Sequence, residues 1–307
     1  MLLAGAGQVW AETDAKSTPL AWYDDYAEAC KAARQSSQML VLIFCDERHP
    51  DAYDGYIKHL EGSQHFVKAA DDFVLCKVPT NFEVVLSEEK KEGEKSVLKS
   101  VEGSQEEAAA TAAAAERPRI KLLSHPAFAE MNGRPGIALI DYTHAKSPHY
   151  GRVVNIYPFK SRFLPAERLL TMINLPEGSL TQRTMIFAVM THPERPASVQ
   201  GQFARELAEE SESHSRHQAN IRVQGHHQWE SRFHRINARL GRGMTAQEVV
   251  AESWPGQDLV EACEECVHSW RQSSGHWEAV RNRHPFFAFD IKRGGNGIWY
   301  ATGLFGR

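Results

Sequence analysis

Apolar positions along this chain gather into short continuous runs, separated by stretches with helical spacing. From Trp22 the pattern is helical, and Ala27, Cys30, Ala33 and Arg34 lead into Met39-Leu-Val-Leu-Ile-Phe44, a run short enough to be a buried strand. Phe73-Val-Leu-Cys-Lys-Val78 predicts a second buried strand, Arg134-Pro-Gly-Ile-Ala-Leu-Ile-Asp141 a third entered through a proline, and Gly151-Arg-Val-Val-Asn-Ile156 a fourth. Between the second and third, Glu83 to Arg117 shifts to Glu, Lys, Ser and Ala, with an alanine-rich stretch from Ala108 to Ala115. Such a composition cannot build a core, so a solvated insertion is expected there. Leu164 to Leu175 reads as a short amphipathic helix, and Pro176-Glu-Gly178 stops it and marks a domain boundary.

Beyond the boundary, Phe203, Leu207, His214, Gln218 and Ile221 repeat at helical spacing, which puts His214 on the inward face of a long helix. Gly225 is expected to end that helix. A second amphipathic helix follows Pro255-Gly256, with Leu259, Cys263, Cys266 or Val267, and Trp270 on one stripe. Phe286-Phe-Ala-Phe-Asp290 and Ile298-Trp-Tyr-Ala-Thr302, joined by the turn-rich Lys292 to Gly297, predict a closing hairpin. The alternation of strands and helices specifies an α/β layer architecture. A chain of 307 residues exceeds one ordinary core, so two units are expected, 20–177 and 178–307.

Composition narrows the function classes. A hydrophobic content of 42% can supply both cores, and a formal charge of −4 gives no electrostatic reason to expect nucleic acid or an anionic membrane as a partner. No run of about twenty apolar residues offers a membrane span. Met1 to Ala11 is apolar or small apart from Gln8 and ends in Val9-Trp10-Ala11, a small-x-small cleavage pattern without a basic n-region. Residues 1–19 are therefore expected to be the remnant of a signal peptide and leader, and the chain to be exported. The five cysteines, odd in number and scattered, describe no disulfide framework.

Candidate chemistry concentrates late in the chain. Of fifteen histidines, eight fall between His214 and His284. Cys263-Glu-Glu-Cys266 offers the spacing of a metal or redox motif but shares the apolar stripe of Trp270 and reads as core, as do Cys30 and Cys76; Cys45, at a strand end, reads as core or as a lone reactive thiol. Glu230 and Arg232 read as a solvated or salt-bridged turn.

Residues 20 to 175 resemble a thioredoxin fold, on the helix-strand opening and on Arg134-Pro135-Gly136, which stands where thioredoxins carry a cis-proline before a core strand. In a redox-active thioredoxin the strand matching Val41 to Phe44 is followed by Cys-x-x-Cys. Here Cys45-Asp-Glu-Arg-His49-Pro-Asp-Ala52 puts His49 and Ala52 at the two cysteine positions, so the resemblance implies lost disulfide exchange.

The second unit resembles the CAP superfamily, the cysteine-rich secretory, antigen 5 and pathogenesis-related proteins. Four ordered features carry the likeness: a helix ending in Gly225-His226; Ala251-Glu252-Ser253, similar to the family's Gly-Glu-Asn; Trp270-Arg-Gln-Ser-Ser-Gly-His276, similar to its Trp-x-x-Ser-x-Gly-His; and a final strand in Gly297-Ile-Trp-Tyr-Ala-Thr-Gly-Leu-Phe-Gly306. The resemblance implies an α-β-α sandwich with a cleft of histidines and acids that in some members binds zinc or magnesium. It assigns His226 to the first histidine, with His227 if the register slips, Glu252 to the acid and His276 to the second histidine. Ser273 falls where many animal members carry a second acid. The implied ligand set for zinc or another divalent metal is His226, Glu252 and His276. The expected function is an exported protein that takes a ligand or protein partner at this cleft, without redox activity. A metal-dependent hydrolase using the same three residues is the alternative, and a purely structural network of histidines and a buried carboxylate is the competing account of the cluster.

Overall fold

A computed structural model describes residues 20–85, 119–160, 162–241 and 243–307. The expected leader, 1–19, and most of the expected insertion, 86–118, lie outside the described residues. The protein is α/β, built among the described residues on two larger sheets and a two-stranded one, with helices packed on them.

The first sheet joins β1 (Trp22–Tyr23), β2 (Met39–Cys45), β3 (Phe73–Pro79), β6 (Gly136–Asp141) and β7 (Arg152–Pro158) in the order β1-β3-β2-β6-β7. Strands β1, β3 and β2 are parallel, and β6 and β7 are antiparallel to their neighbours. The continuous apolar run of β2 fits its central place, with Leu40 to Phe44 wholly buried. Its helices are α1 (Tyr26–Ser36), α2 (Pro50–Gly62), α3 (Gln64–Ala69) and α4 (Ala166–Ile173). The opening differs from the helical reading: Trp22 and Tyr23 pair with β3, and the helix starts only after Asp25, whose carboxylate caps it by accepting from Glu28 N. Pro135 is not preceded by a cis bond, since the described residues contain none. Glu83, expected to begin the insertion, instead begins β4 (Glu83–Val85), which pairs with β5 (Arg119–Lys121).

The second sheet orders β8 (Gln202–Phe203), β10 (Phe286–Arg293), β11 (Trp299–Gly306) and β9 (Ala246–Glu252) as β8-β10-β11-β9. Its two faces are both covered. Phe287, Phe289, Ile291 and Phe305 join the main core with Trp270 of α8 (Leu259–Gln272), and α9 (Ser274–Arg281) follows α8 directly. Ala288 and Leu304 pack on the opposite face beneath Leu207 and Ala208 of α6 (Arg205–Ile221) and Ile236 of α7 (Trp229–Leu240). Helix α6 stops at Ile221, with Arg222 in the left-handed conformation, one turn before the expected Gly225. Glu230 and Arg232, read from sequence as lying in a turn, belong to the helix Trp229–Leu240.

Helix α5 (Leu180–Thr191) packs against β7 of the first sheet, β10 of the second and α8. Gln182 to Val189 are buried without interruption, which is the pattern of a helix enclosed on all sides. Arg183 is buried with them. Its guanidinium donates to Asn155 Oδ1 at 2.6 Å and to the carbonyls of Met172 (2.8 Å), Ile173 (3.3 Å), Leu175 (2.7 Å) and Pro176 (2.9 Å). One cation thus satisfies the orphan carbonyls at the end of α4 and ties the Pro176 connection to β7. Burial lowers the Arg183 pKa to about 10, which still leaves it charged at neutral pH.

Candidate functional site

Four elements meet at the outer edge of β9. Glu248 lies in mid-strand opposite Leu304, so it faces α6 and α7. Helix α6 contributes His214, the connection after α6 contributes His226, and α9 contributes His276. His226 Nδ1 is 3.0 Å from Glu248 Oε1, and the His226 and His276 ring centroids are 5.8 Å apart. Arg232 of α7 donates to both oxygens of the same carboxylate, to Oε1 at 3.2 Å and to Oε2. The Glu248 and Arg232 side chains are 1% and 8% exposed, whereas that of His226 is 43% exposed. An ionised group removed from water in this way requires its partners.

Protonation follows from these contacts. Burial pushes the Glu248 carboxyl upward, but hydrogen bonds from His226 and Arg232 and the guanidinium charge outweigh it, and the net shift is downward. An ionised carboxylate only accepts, so His226 donates through Nδ1, and the neutral ring carries its lone pair on Nε2. His214 is held by burial at a pKa of about 4, and its Nε2 lies 2.9 Å from Gly225 O and 3.8 Å from Glu248 Oε1. A carbonyl cannot donate, so the His214 proton sits on Nε2. Burial, and then the proximity of His226, lower the His276 pKa as well.

The connection that carries His226 is fixed from below. Gly225 N donates to Gln218 Oε1 at 3.1 Å, and Gln218 Nε2 donates to Thr302 Oγ1 at 3.0 Å. Ser215 Oγ lies 3.0 Å from both Thr302 Oγ1 and Asp290 O. Gln218, Ser215 and Thr302 are fully buried, so this chain of polar groups anchors the site to the centre of the sheet.

Of the residues expected at the site, His226 and His276 come together. Glu252 lies at the exposed end of β9 and makes no hydrogen bond or ion pair with either ring among the described residues; the acid at the site is Glu248, four positions earlier. Ser273 joins α8 to α9 through backbone bonds, its N–H donating to Trp270 O at 3.1 Å and its carbonyl accepting from Trp277 N at 2.8 Å. His227 turns to a different group: its Nε2 lies 3.2 Å from Val223 O and its ring packs near His217. Of the two readings of Arg232, solvated or salt-bridged, the structure gives the second, with the residue in a helix rather than a turn and buried against Glu248. Among the described residues no three His, Cys, Asp or Glu side chains are grouped as a metal ligand set. Cys263 and Cys266 are buried in α8, where desolvation raises both thiols. No helix of the described residues is long and apolar enough to cross a membrane. No family model, curated protein or solved structure matches the chain.

Proposed function

We propose that this is an exported, CAP-like binding protein whose cleft holds a divalent cation, zinc foremost, through His226 and His276, and holds a ligand or protein partner through that ion. The observation that carries the reading is the 3.0 Å bond from His226 Nδ1 to Glu248 beside a second imidazole 5.8 Å away. A carboxylate behind a histidine, fixing its tautomer and ring orientation, is the usual support of a metal-ligating imidazole. Two rings that share an ion at about 2.0–2.1 Å from each nitrogen have centroids roughly 5–6 Å apart. Bound zinc would supply a Lewis acid with open positions. Glu248 acts from behind His226 in this account, and Glu252 takes no part.

The helices on both faces of the second sheet support the CAP-like reading, and the β1-β3-β2-β6-β7 order supports the thioredoxin-like reading of the first. Redox work by the first unit is disfavoured by its thiol: burial pushes Cys45 up to about 11, far from a reactive thiolate. Calorimetric zinc titration tests the proposal. His226→Ala and His276→Ala should each weaken binding at least about 10–100-fold, while Glu252→Gln should leave it unchanged. Equal affinity in all four proteins, or none in the wild type, would return the histidines to a structural role. One observation favours a second reading, a hydrolase: a carboxylate-oriented imidazole is also how a general base is held. Turnover of a peptide or ester library, abolished by His226→Ala, would decide for it.

A further inference from the structure

The connection after α6 carries two adjacent histidines that belong to different groups. His226 reaches Glu248 and His276, whereas His227 joins His214 and His217 of α6. In this second group the ring centroids are 5.6 Å apart for His217 and His227, 6.2 Å for His214 and His217, and 6.2 Å for His214 and His227. No carboxylate pairs with His217 or His227 among the described residues, so an ion-pair network does not account for their proximity. We infer that His217 and His227 form a second metal site, independent of the cleft, for a divalent transition ion that prefers imidazole, such as Ni2+ or Cu2+.

Tautomer and spacing agree with this assignment. His227 Nε2 sits 3.2 Å from Val223 O, and a carbonyl only accepts, so Nε2 carries the proton and Nδ1 keeps the lone pair. A backbone carbonyl is one of the partners that fix a metal-ligating histidine in this way. Neither nitrogen of His217 has a hydrogen-bond partner among the described residues, and both rings are half-buried, within reach of solvent. Their 5.6 Å separation is that of two imidazoles on one ion at about 2.0–2.1 Å, with an angle at the metal of roughly 120°. His214 stays outside the set, because it is 2% exposed and its Nε2 is committed to Gly225 O. Two protein nitrogens with water completing the shell suit an ion high in the divalent affinity order for nitrogen donors.

The test is Ni2+ titration of the full chain by calorimetry, with urea denaturation confirming the fold of every variant. Wild type should bind two ions. His217→Ala and His227→Ala should each remove one, lowering affinity at that site at least about 10–100-fold, and leave the other unchanged. His276→Ala should remove only the other, and His234→Ala, on the exposed side of α7, should remove neither. Wild-type stoichiometry retained in His217→Ala overturns the inference. A single ion lost only in His276→Ala overturns it while leaving the cleft proposal standing; a single ion lost only in His217→Ala supports it and sinks the cleft proposal. Absence of binding by the wild type overturns both.

Discussion

Replacing Glu248 with methionine removes the one carboxylate that, among the described residues, bonds both Arg232 and His226. Among the described residues the Arg232 guanidinium, 8% exposed, would keep only the His227 carbonyl at 3.3 Å and the Trp229 ring at 5.5 Å. Breaking a buried ion pair from one side costs about 3–5 kcal/mol, because a desolvated charge is left behind. Arg232→Met should cost a comparable amount, since it leaves the Glu248 carboxylate, 1% exposed, with only two imidazoles beside it among the described residues, His226 at 3.0 Å and the buried His214 at 3.8 Å. The double variant Glu248→Met/Arg232→Met removes both charges and should be far more stable than the sum of the single losses, with a coupling of about 2–3 kcal/mol. Urea denaturation followed by tryptophan fluorescence at pH 7 supplies the double-mutant cycle, and Glu252→Gln, on an exposed side chain, should stay within about 0.5 kcal/mol of wild type. Single losses below about 0.5 kcal/mol that simply add would refute the claim that Glu248 and Arg232 form the buried support of the site.

Other outcomes follow from the same contacts. Arg183→Met should destabilise the protein by about 3 kcal/mol or more in the same urea assay, because the carbonyls ending α4 and Asn155 Oδ1 lose a charged donor while buried. A loss under about 1 kcal/mol would show that water replaces the guanidinium. Stability should fall on acidification: His214 has a folded pKa of about 4 against about 6.5 unfolded, so its contribution is whole above pH 6.5 and disappears as pH drops toward 4. That amounts to on the order of 3 kcal/mol, and His214→Asn should flatten the dependence of the urea midpoint between pH 7 and 4.5. Gln218→Ala should weaken zinc binding by freeing Gly225 N, and Gln218→Glu, which keeps the acceptor, should recover part of it. Equal affinity in both would mean that the polar chain does not position His226. An insulin-reduction assay should show only background turnover, and turnover abolished by Cys45→Ser would contradict the non-redox reading.

The strands were legible because burial on both faces leaves continuous apolar runs, as in Met39 to Phe44 and in the closing hairpin. Helix α7 was passed over although Trp229, Phe233, Ile236 and Leu240 repeat at helical spacing and pack on the cluster that holds Leu207 and Ala208 of α6; ion pairs of Arg235 and Arg239 with Glu210 and Glu209 add to that hold. Charges of that kind look solvated in a sequence. The carboxylate that bonds His226 was not singled out from the sequence, for a related reason. A strand repeats every two residues, so Glu248 and Glu252 occupy the same face, and motif likeness alone chose the one at the strand end. The signal that favours Glu248 is its setting inside Ala246-Gln-Glu-Val-Val-Ala251, because a carboxylate within an apolar strand must be paired. Arg183 gave a similar signal, as the single charged residue in α5.

Anomalous diffraction at the zinc edge, from crystals of the full chain soaked in zinc, tests the central claim most directly. The account predicts a peak within about 2.0–2.1 Å of one nitrogen from each of His226 and His276, with Glu248 bonded to His226 Nδ1 and not to the ion. A peak on Glu252, or density that leaves His226 and His276 unligated at saturating zinc, would contradict it.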